Sequence, residues 1–173
     1  MRLTPRSFEN AAVHYLRRFP SSSGNLRRVL SRKARRVDGY ERMDEREVQR
    51  LIDDTVQRMI EAGLVDDEAY ARALSQSLHR RGRPLRAIAA KLREKAVDAE
   101  VIDACLSRLK QGTVDVDLEA AWALAARKRL GPYREDPEQR KERKQKDLAA
   151  LARAGFSYDV ARRVLEAEEP PFG

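Results

Sequence analysis

The sequence predicts an all-α protein of tandem three-helix repeats forming an elongated, curved helical array. Three observations carry that expectation. No stretch sustains the period-two alternation of a half-buried strand, whereas apolar residues recur at i, i+3 and i+4 throughout. The stripes are short and are punctuated by Gly, Pro, Asp and Ser, the residues that start and stop helices. One stretch also matches another at a fixed offset of 59 residues: Leu148, Leu151, Gly155, Phe156, Ser157, Val160, Ala161, Val164 and Leu165 fall on Ala89, Leu92, Ala96, Val97, Asp98, Val101, Ile102, Cys105 and Leu106.

Taken in order, the first cycle opens with Ala12, Val13, Tyr15 and Leu16. Ser21-Ser22-Ser23 then offers a capping hydroxyl to a helix striped by Leu26, Val29 and Leu30. Residues 32–47, polar and charged around Gly39, are expected to form a loop. Val48, Leu51, Ile52, Thr55, Val56, Met59 and Ile60 keep one helical face apolar until Gly63, a C-terminal cap. Asp66-Asp67 opens the next helix, where carboxylates favour the N-terminal dipole. That helix turns Ala69, Tyr70, Ala73, Leu74 and Leu78 inward and stops at Gly82. Pro84 suits the first turn of a helix striped by Leu85, Ile88, Ala89 and Leu92. Asp98 caps a further helix, striped by Val101, Ile102, Cys105, Leu106 and Leu109. A second insertion, from Gly131-Pro132-Tyr133 into a mixed-charge helix, interrupts the last cycle.

The repeats are therefore placed at 8–63 (with the charged insertion 32–47), 66–110 and 115–169. Each helix is too short to be stable alone and must bury its stripe against its neighbours. One irregular helical bundle is the alternative architecture.

Charge is segregated along the chain. The 36 Lys+Arg exceed the 28 Asp+Glu, for a net charge of +8, the footprint of a nucleic-acid partner or an acidic protein surface. Between Asn10 and Val37 lie eight basic residues and no acid, Arg27 and Arg28 among them. From Asp38 to Glu68 eleven acids face four arginines. From Ala69 to Arg93 the sign reverts, with Arg72, Arg80, Arg81, Arg83, Arg86, Lys91 and Arg93 and no acid. Acids lead again from Glu94 to Glu119, and Arg127, Lys128 and Arg129 open the last basic run. A charge run is often only a solvated face; its repetition through three cycles favours a binding role, with these twelve cations as candidates for contacting a partner or DNA.

Other chemistry is poorly supplied. Cys105 is the single cysteine, so no internal disulfide and no four-cysteine metal site can form. His14 and His79 are far apart, and no Ser/His/Asp set, nucleotide-binding glycine loop or metal-ligand spacing can be assembled. Asp53-Asp54 and Asp66-Asp67 read as surface and cap residues. No catalytic residue, cofactor or metal is expected, so an enzyme is the least favoured class. No run reaches the length of a membrane span and the N-terminus lacks a secretory hydrophobic core, so a cytoplasmic protein without membrane contact is expected.

At Gly63-Leu64-Val65-Asp66-Asp67-Glu68-Ala69-Tyr70-Ala71 the sequence resembles the RecX family of recombination regulators. The likeness runs through Arg80-Arg81-Gly82-Arg83 to Ile88, Leu92, Lys95 and Val97, and resumes at Leu151, Gly155, Phe156, Ser157, Tyr158, Val160 and Val164-Leu165. Tyr15-Leu16 with Leu26-Arg27-Arg28-Val29-Leu30 is similar to its opening, so the resemblance covers about residues 10–167. Pro84 and Leu85 stand where a second glycine and a proline are common, Ala96 replaces a usual glycine, and the charged stretch after Leu30 is long. The resemblance implies tandem three-helix repeats. It further implies a protein, here expected as a monomer, that binds the RecA recombinase filament on DNA and restrains its ATP hydrolysis and strand exchange, with single- or double-stranded DNA as a further partner. The alternative is a general nucleic-acid-binding protein whose basic helices grip phosphates without any recombinase, with a steep salt dependence.

The aromatic supply is thin, so a ring at Phe156 should matter. Phe156→Ala is expected to cost roughly 3–5 kcal/mol if the ring fills the core of the last repeat. A melting temperature within about 2 °C of the parent would instead place it on the surface.

Overall fold

The computed structural model describes residues 3–171. Among them the regular structure is entirely helical: α1 (Pro5–Leu16), α2 (Ser23–Ala34), α3 (Glu45–Glu61), α4 (Asp67–Arg80), α5 (Leu85–Glu94), α6 (Ala99–Gln111), α7 (Val116–Lys128), α8 (Pro137–Ala154) and α9 (Tyr158–Leu165). Single 3₁₀ turns at Tyr40–Arg42 and Gly131–Tyr133 occupy the two insertions. The ends of the first insertion are drawn into helices, Arg32–Ala34 finishing α2 and Glu45–Glu47 beginning α3.

The helices start where short polar side chains can satisfy free backbone N–H groups. Thr4 and Ser7 form a reciprocal capping box on α1. Ser22 accepts from Asn25 N, Asp66 from Ala69 N, Asp115 from Leu118 N and Ser157 from Val160 N. Pro84 stands one place earlier than expected: its carbonyl accepts the first helical bonds of α5, from Ala87 and Ile88. The Leu85 N–H behind it is taken by Asp117 at 2.8 Å.

Four helices stop by one device. A residue one or two places past the helix turns left-handed, and the next N–H reaches back to a carbonyl five residues earlier. Leu64 donates to Met59, Arg83 to Leu78, Leu130 to Ala125 and Phe156 to Leu151. The left-handed residues are Gly63, Gly82, Arg129 and Gly155. After α5 the left-handed position falls on Ala96 (φ +52°), the place where the resembled family carries glycine.

The chain groups into two compact units, Met1–Arg72 with Arg93–Val101, and Ala73–Leu92 with Ile102–Gly173. Residues of the stretch 66–110 thus belong to both. In the first unit α1, α2 and α3 bury Phe8, Ala12, Leu26, Leu30, Ala34, Val48, Ile52 and Val56 against one another. The starts of α2 and α4 are fastened by Asp67, whose carboxylate accepts from Ser23 N and Ser23 Oγ, both at 2.6 Å. Hydrogen bonds to a charged group contribute about 1.5–3 kcal/mol each. Ser22 Oγ donates to the Lys95 carbonyl, and Gly24 packs on Ala96 so closely that a Cβ there would lie 2.3 Å from the Ala96 carbonyl oxygen.

The second unit buries Ala120, Ala121, Leu124, Ala125, Leu151, Phe156, Ala161 and Val164. Phe156 therefore does fill a core. Trp122 meets Tyr133 edge to face at 6.2 Å. The turn around Gly82 is pressed onto α7: a Cβ at Gly82 would lie 2.6 Å from Leu124 N and 2.7 Å from the Ala120 carbonyl oxygen. Asp147, 3% exposed, takes Arg134 through two bonds (2.7 and 3.0 Å) and the Gly131 N–H at 3.0 Å. That bond to Asp147 raises the Arg134 pKa above its ordinary value, against a smaller opposing effect of burial.

The expected face of α4 needs correcting. On α4 the buried residues are Ala71 and Ser75, while Ala73 is exposed and Ala69, Tyr70, Leu74 and Leu78 are partly covered. Small side chains give little hydrophobic signal, so the larger residues drew the stripe off its true face. A cut after Gly112, between two of the expected repeats, would divide the second unit. It would separate Leu85 from Asp117 and His79 Nε2 from the Val116 carbonyl, 3.0 Å away.

Two substitutions test the junction of Gly24 and Ala96. Ala96→Gly relieves a left-handed Cβ, a conformation that costs roughly 1–2 kcal/mol, and offsets part of that gain by loosening the unfolded chain. A rise of about 0.5–1 kcal/mol in urea unfolding is expected, with an unchanged denaturant slope. Gly24→Ala should lower stability by about 1–3 kcal/mol, because backbone and not a flexible side chain blocks its Cβ; an unchanged midpoint would show that α2 can move away freely.

Candidate functional site

The twelve candidate cations separate into those that the fold engages and those that it leaves open. In the first unit Arg27 pairs with Asp53 (Nε to Oδ1, 2.9 Å) and reaches Ser23 Oγ at 3.3 Å. Gln49 takes the other oxygen of Asp53. Arg28 donates to the backbone carbonyl of Glu94 at 2.9 Å. Arg72 and Lys91 each have a partner of their own. Arg93 is exposed.

Arg27 and Arg28 border a groove of about 610 Å³, together with Asn25, Ser31, Arg32 and Arg35 of the α2 segment, Gln49 of α3, and Glu94 and Lys95 at the end of α5. Five cations and one carboxylate line it. Arg32, Arg35 and Lys95 were not among the candidates. Arg28, Arg32 and Arg35 stand at i, i+4 and i+7, one face of a helix, so that spacing was a usable signal. Lys95 is far off in sequence and carried none.

In the second unit Arg80 ends α4, Arg81 and Arg83 flank Gly82, and Arg86 lies on α5. The clamping of Gly82 on α7 gives this turn a fixed backbone. Arg80, Arg81 and Arg83 are exposed, and among the described residues no carboxylate pairs with any of them. Arg86 is less free: its Nε would lie 2.9 Å from a Cβ placed on Gly155. Arg127 and Lys128 sit in the last turn of α7, where cations favour the helix dipole. Arg129 is the left-handed residue that follows, and borders a second cavity with Tyr133, Arg134, Glu135, Asp136 and Gln139.

The residues that carried the family resemblance take structural places. Gly63, Gly82 and Gly155 end helices, Asp66 caps α4, and Asp67 holds Ser23. Ala71, Ile88, Leu92 and Phe156 are buried. Tyr70 is half-buried; burial, followed by the nearby Tyr15 and Glu94, pushes its hydroxyl pKa up. Part of the charge alternation is likewise spent within the protein, through Arg27–Asp53, Arg58–Glu9 (2.6 Å) and Arg163–Asp115 (2.7 Å).

His14 is exposed, His79 bonds to the Val116 carbonyl, and Cys105 is buried. Among the described residues no group of three or more His, Cys, Asp or Glu could hold a metal ion. No described helix is long and apolar enough to cross a membrane.

Residues 66–106 match the second three-helix domain of RecX, and residues 115–165 match the third. The regulatory protein RecX of Myxococcus xanthus is 39% identical over 165 residues, covering 95% of this chain and 87% of that protein. The regulatory protein RecX of Agrobacterium fabrum is 32% identical over 157 residues, 90% and 80% of the two chains. In fold, a crystal structure of regulatory protein RecX aligns with TM-score 0.61 and 24% identity over 94% of this chain and 71% of that one. The crystal structure of RecX from Lactobacillus salivarius aligns with TM-score 0.61 and 19% identity over 95% and 96%. The all-helical architecture, the two matched three-helix domains and the nearly full-length likeness to curated relatives agree: this chain belongs to the RecX family of regulatory proteins.

Proposed function

We propose that this chain regulates recombination and DNA repair by binding the RecA recombinase filament on DNA and restraining its ATP hydrolysis and strand exchange. The observation that supports this reading is likeness to regulatory proteins over 95% of the chain. The proposed contact is the turn of Arg80, Arg81 and Arg83, whose backbone is fixed by Gly82 and whose charges face solvent. A pre-ordered turn of free arginines meets an acidic protein surface without first losing backbone entropy.

The chain is proposed to act as a cytoplasmic monomer, with repeats at 8–63, 66–110 and 115–169 each offering a modest set of contacts. Several weak contacts on one chain raise the effective concentration of the next, so firm binding needs no single strong site. Joining neighbouring recombinase subunits in this way opposes their relative motion and slows turnover. No step in this scheme requires a catalytic group on the regulator.

The test is co-sedimentation with recombinase filaments at physiological salt, alongside the recombinase ATPase rate. The intact chain is expected to sediment with filaments and to lower the rate. Arg81→Gln with Arg83→Gln should weaken inhibition by roughly tenfold, as two rim charges contribute on the order of 0.5–1 kcal/mol each. Arg86 is left in place because it packs over Gly155. Unaltered inhibition by a normally melting double variant would move the contact elsewhere, and absence of the chain from the filament pellet would remove the reading.

A further inference from the structure

The turn that carries Arg80, Arg81 and Arg83 is held at both ends by a helix of the next repeat. On one side His79 Nε2 lies 3.0 Å from the Val116 carbonyl, and on the other the Leu85 N–H reaches Asp117 Oδ1 at 2.8 Å. Between them Gly82 presses on Ala120 and Leu124. Val116, Asp117, Ala120 and Leu124 fall at i, i+1, i+4 and i+8, so one face of α7 makes all of these contacts.

The bond to Leu85 is one that the local sequence cannot supply. A helix leaves its first N–H groups free, and a short polar side chain just before it normally takes one. The two residues before α5 are Arg83, a long cation, and Pro84, which is fully buried and has no side-chain acceptor. The missing cap comes instead from Asp117, 32 residues further on. Asp117 is half-buried close to three exposed arginines, yet among the described residues no ion pair joins it to any of them. Its carboxylate goes to the backbone, so it fixes the turn without masking the charges.

We propose that Asp117 is a positioning residue for partner binding: through Leu85 it sets where Arg81 and Arg83 stand, so that the third repeat determines how well the second engages an acidic protein surface. The inference rests on the contact proposed above for the arginine turn. It adds that two repeats build this contact together, rather than each repeat offering its own. Without Asp117 the arginines remain, but the chain between Gly82 and α5 has to be ordered on binding, and that lost freedom weakens affinity.

The experiment is a double-mutant cycle on the full chain, read as inhibition of the recombinase ATPase on filaments at physiological salt. Asp117→Ala should weaken inhibition by roughly two- to tenfold, the range that ordering a freed segment costs on binding. Asp117→Ser, too short to reach Leu85, should do the same, and keeps the comparison open if the alanine variant folds poorly. Asp117→Asn retains an acceptor oxygen and should recover most of the inhibition. In the background of Arg81→Gln with Arg83→Gln, Asp117→Ala should cause no further loss, whereas independent roles would make the two losses multiply. Amide hydrogen exchange on the chain alone gives the second readout: exchange at Leu85 should quicken in Asp117→Ala while the amides of α1 to α3 stay protected. Losses that multiply, an asparagine variant as weak as alanine, or unchanged exchange at Leu85 would each overturn the positioning role. Full inhibition by Asp117→Ala beside a weakened arginine pair would overturn it alone. Full inhibition by the arginine pair would remove the contact itself, and this inference with it.

Discussion

A helix of eight to eighteen residues in this chain has to end abruptly and hand its neighbour a buried face. The left-handed residue that closes α3, α4, α7 and α8 meets that requirement. It turns the chain through the last carbonyls while satisfying two of them, and the residue after it can enter the core, as Phe156 does. Where a glycine fills the position the turn also allows close approach, most tightly at Gly82 against α7. Where Ala96 or Arg129 fills it, the left-handed backbone is kept against a steric penalty. The offset of 59 residues follows from this device: Leu92 and Leu151 are both buried before the turn, Val97 and Phe156 both after it.

Carboxylates supply the second level of order. Asp67 and Asp147 are each placed where several donors converge, and each joins segments that apolar packing would leave free to slide. Among the described residues, no buried side-chain nitrogen or oxygen lacks a hydrogen-bond partner. That completeness matters in a protein rich in charge, because an unpaired buried polar group costs about 1–3 kcal/mol. The surplus of arginine therefore stays outside, where the fold divides it into cations already paired and cations left open.

Legibility in the sequence tracked locality. The stripe from Val48 to Met59 and its stop at Gly63 were readable because neighbours three and four apart decide them. The α4 face was misread because Ala71 and Ser75 pack without looking hydrophobic, and Pro84 slipped by one because a helix can begin at or just after a proline. At the candidate site, the exposed Arg81 and Arg83 could be picked out from an acid-free run. The groove could not, since Arg28 meets the Glu94 carbonyl across 66 positions of chain.

The interleaving of the two units has a consequence for how the protein comes off the ribosome. Neither unit is a continuous segment: the first needs residues 93–101 and the second needs 73–92. Residues 73–92 thus emerge before the segment that completes the first unit, and they wait for α7 to α9 before their own unit can close. Domains generally fold as units during synthesis, but here the first stays unfinished until the chain has passed Val101. Through that interval the apolar stripe of α5, with Ile88 and Leu92, is present without most of its unit.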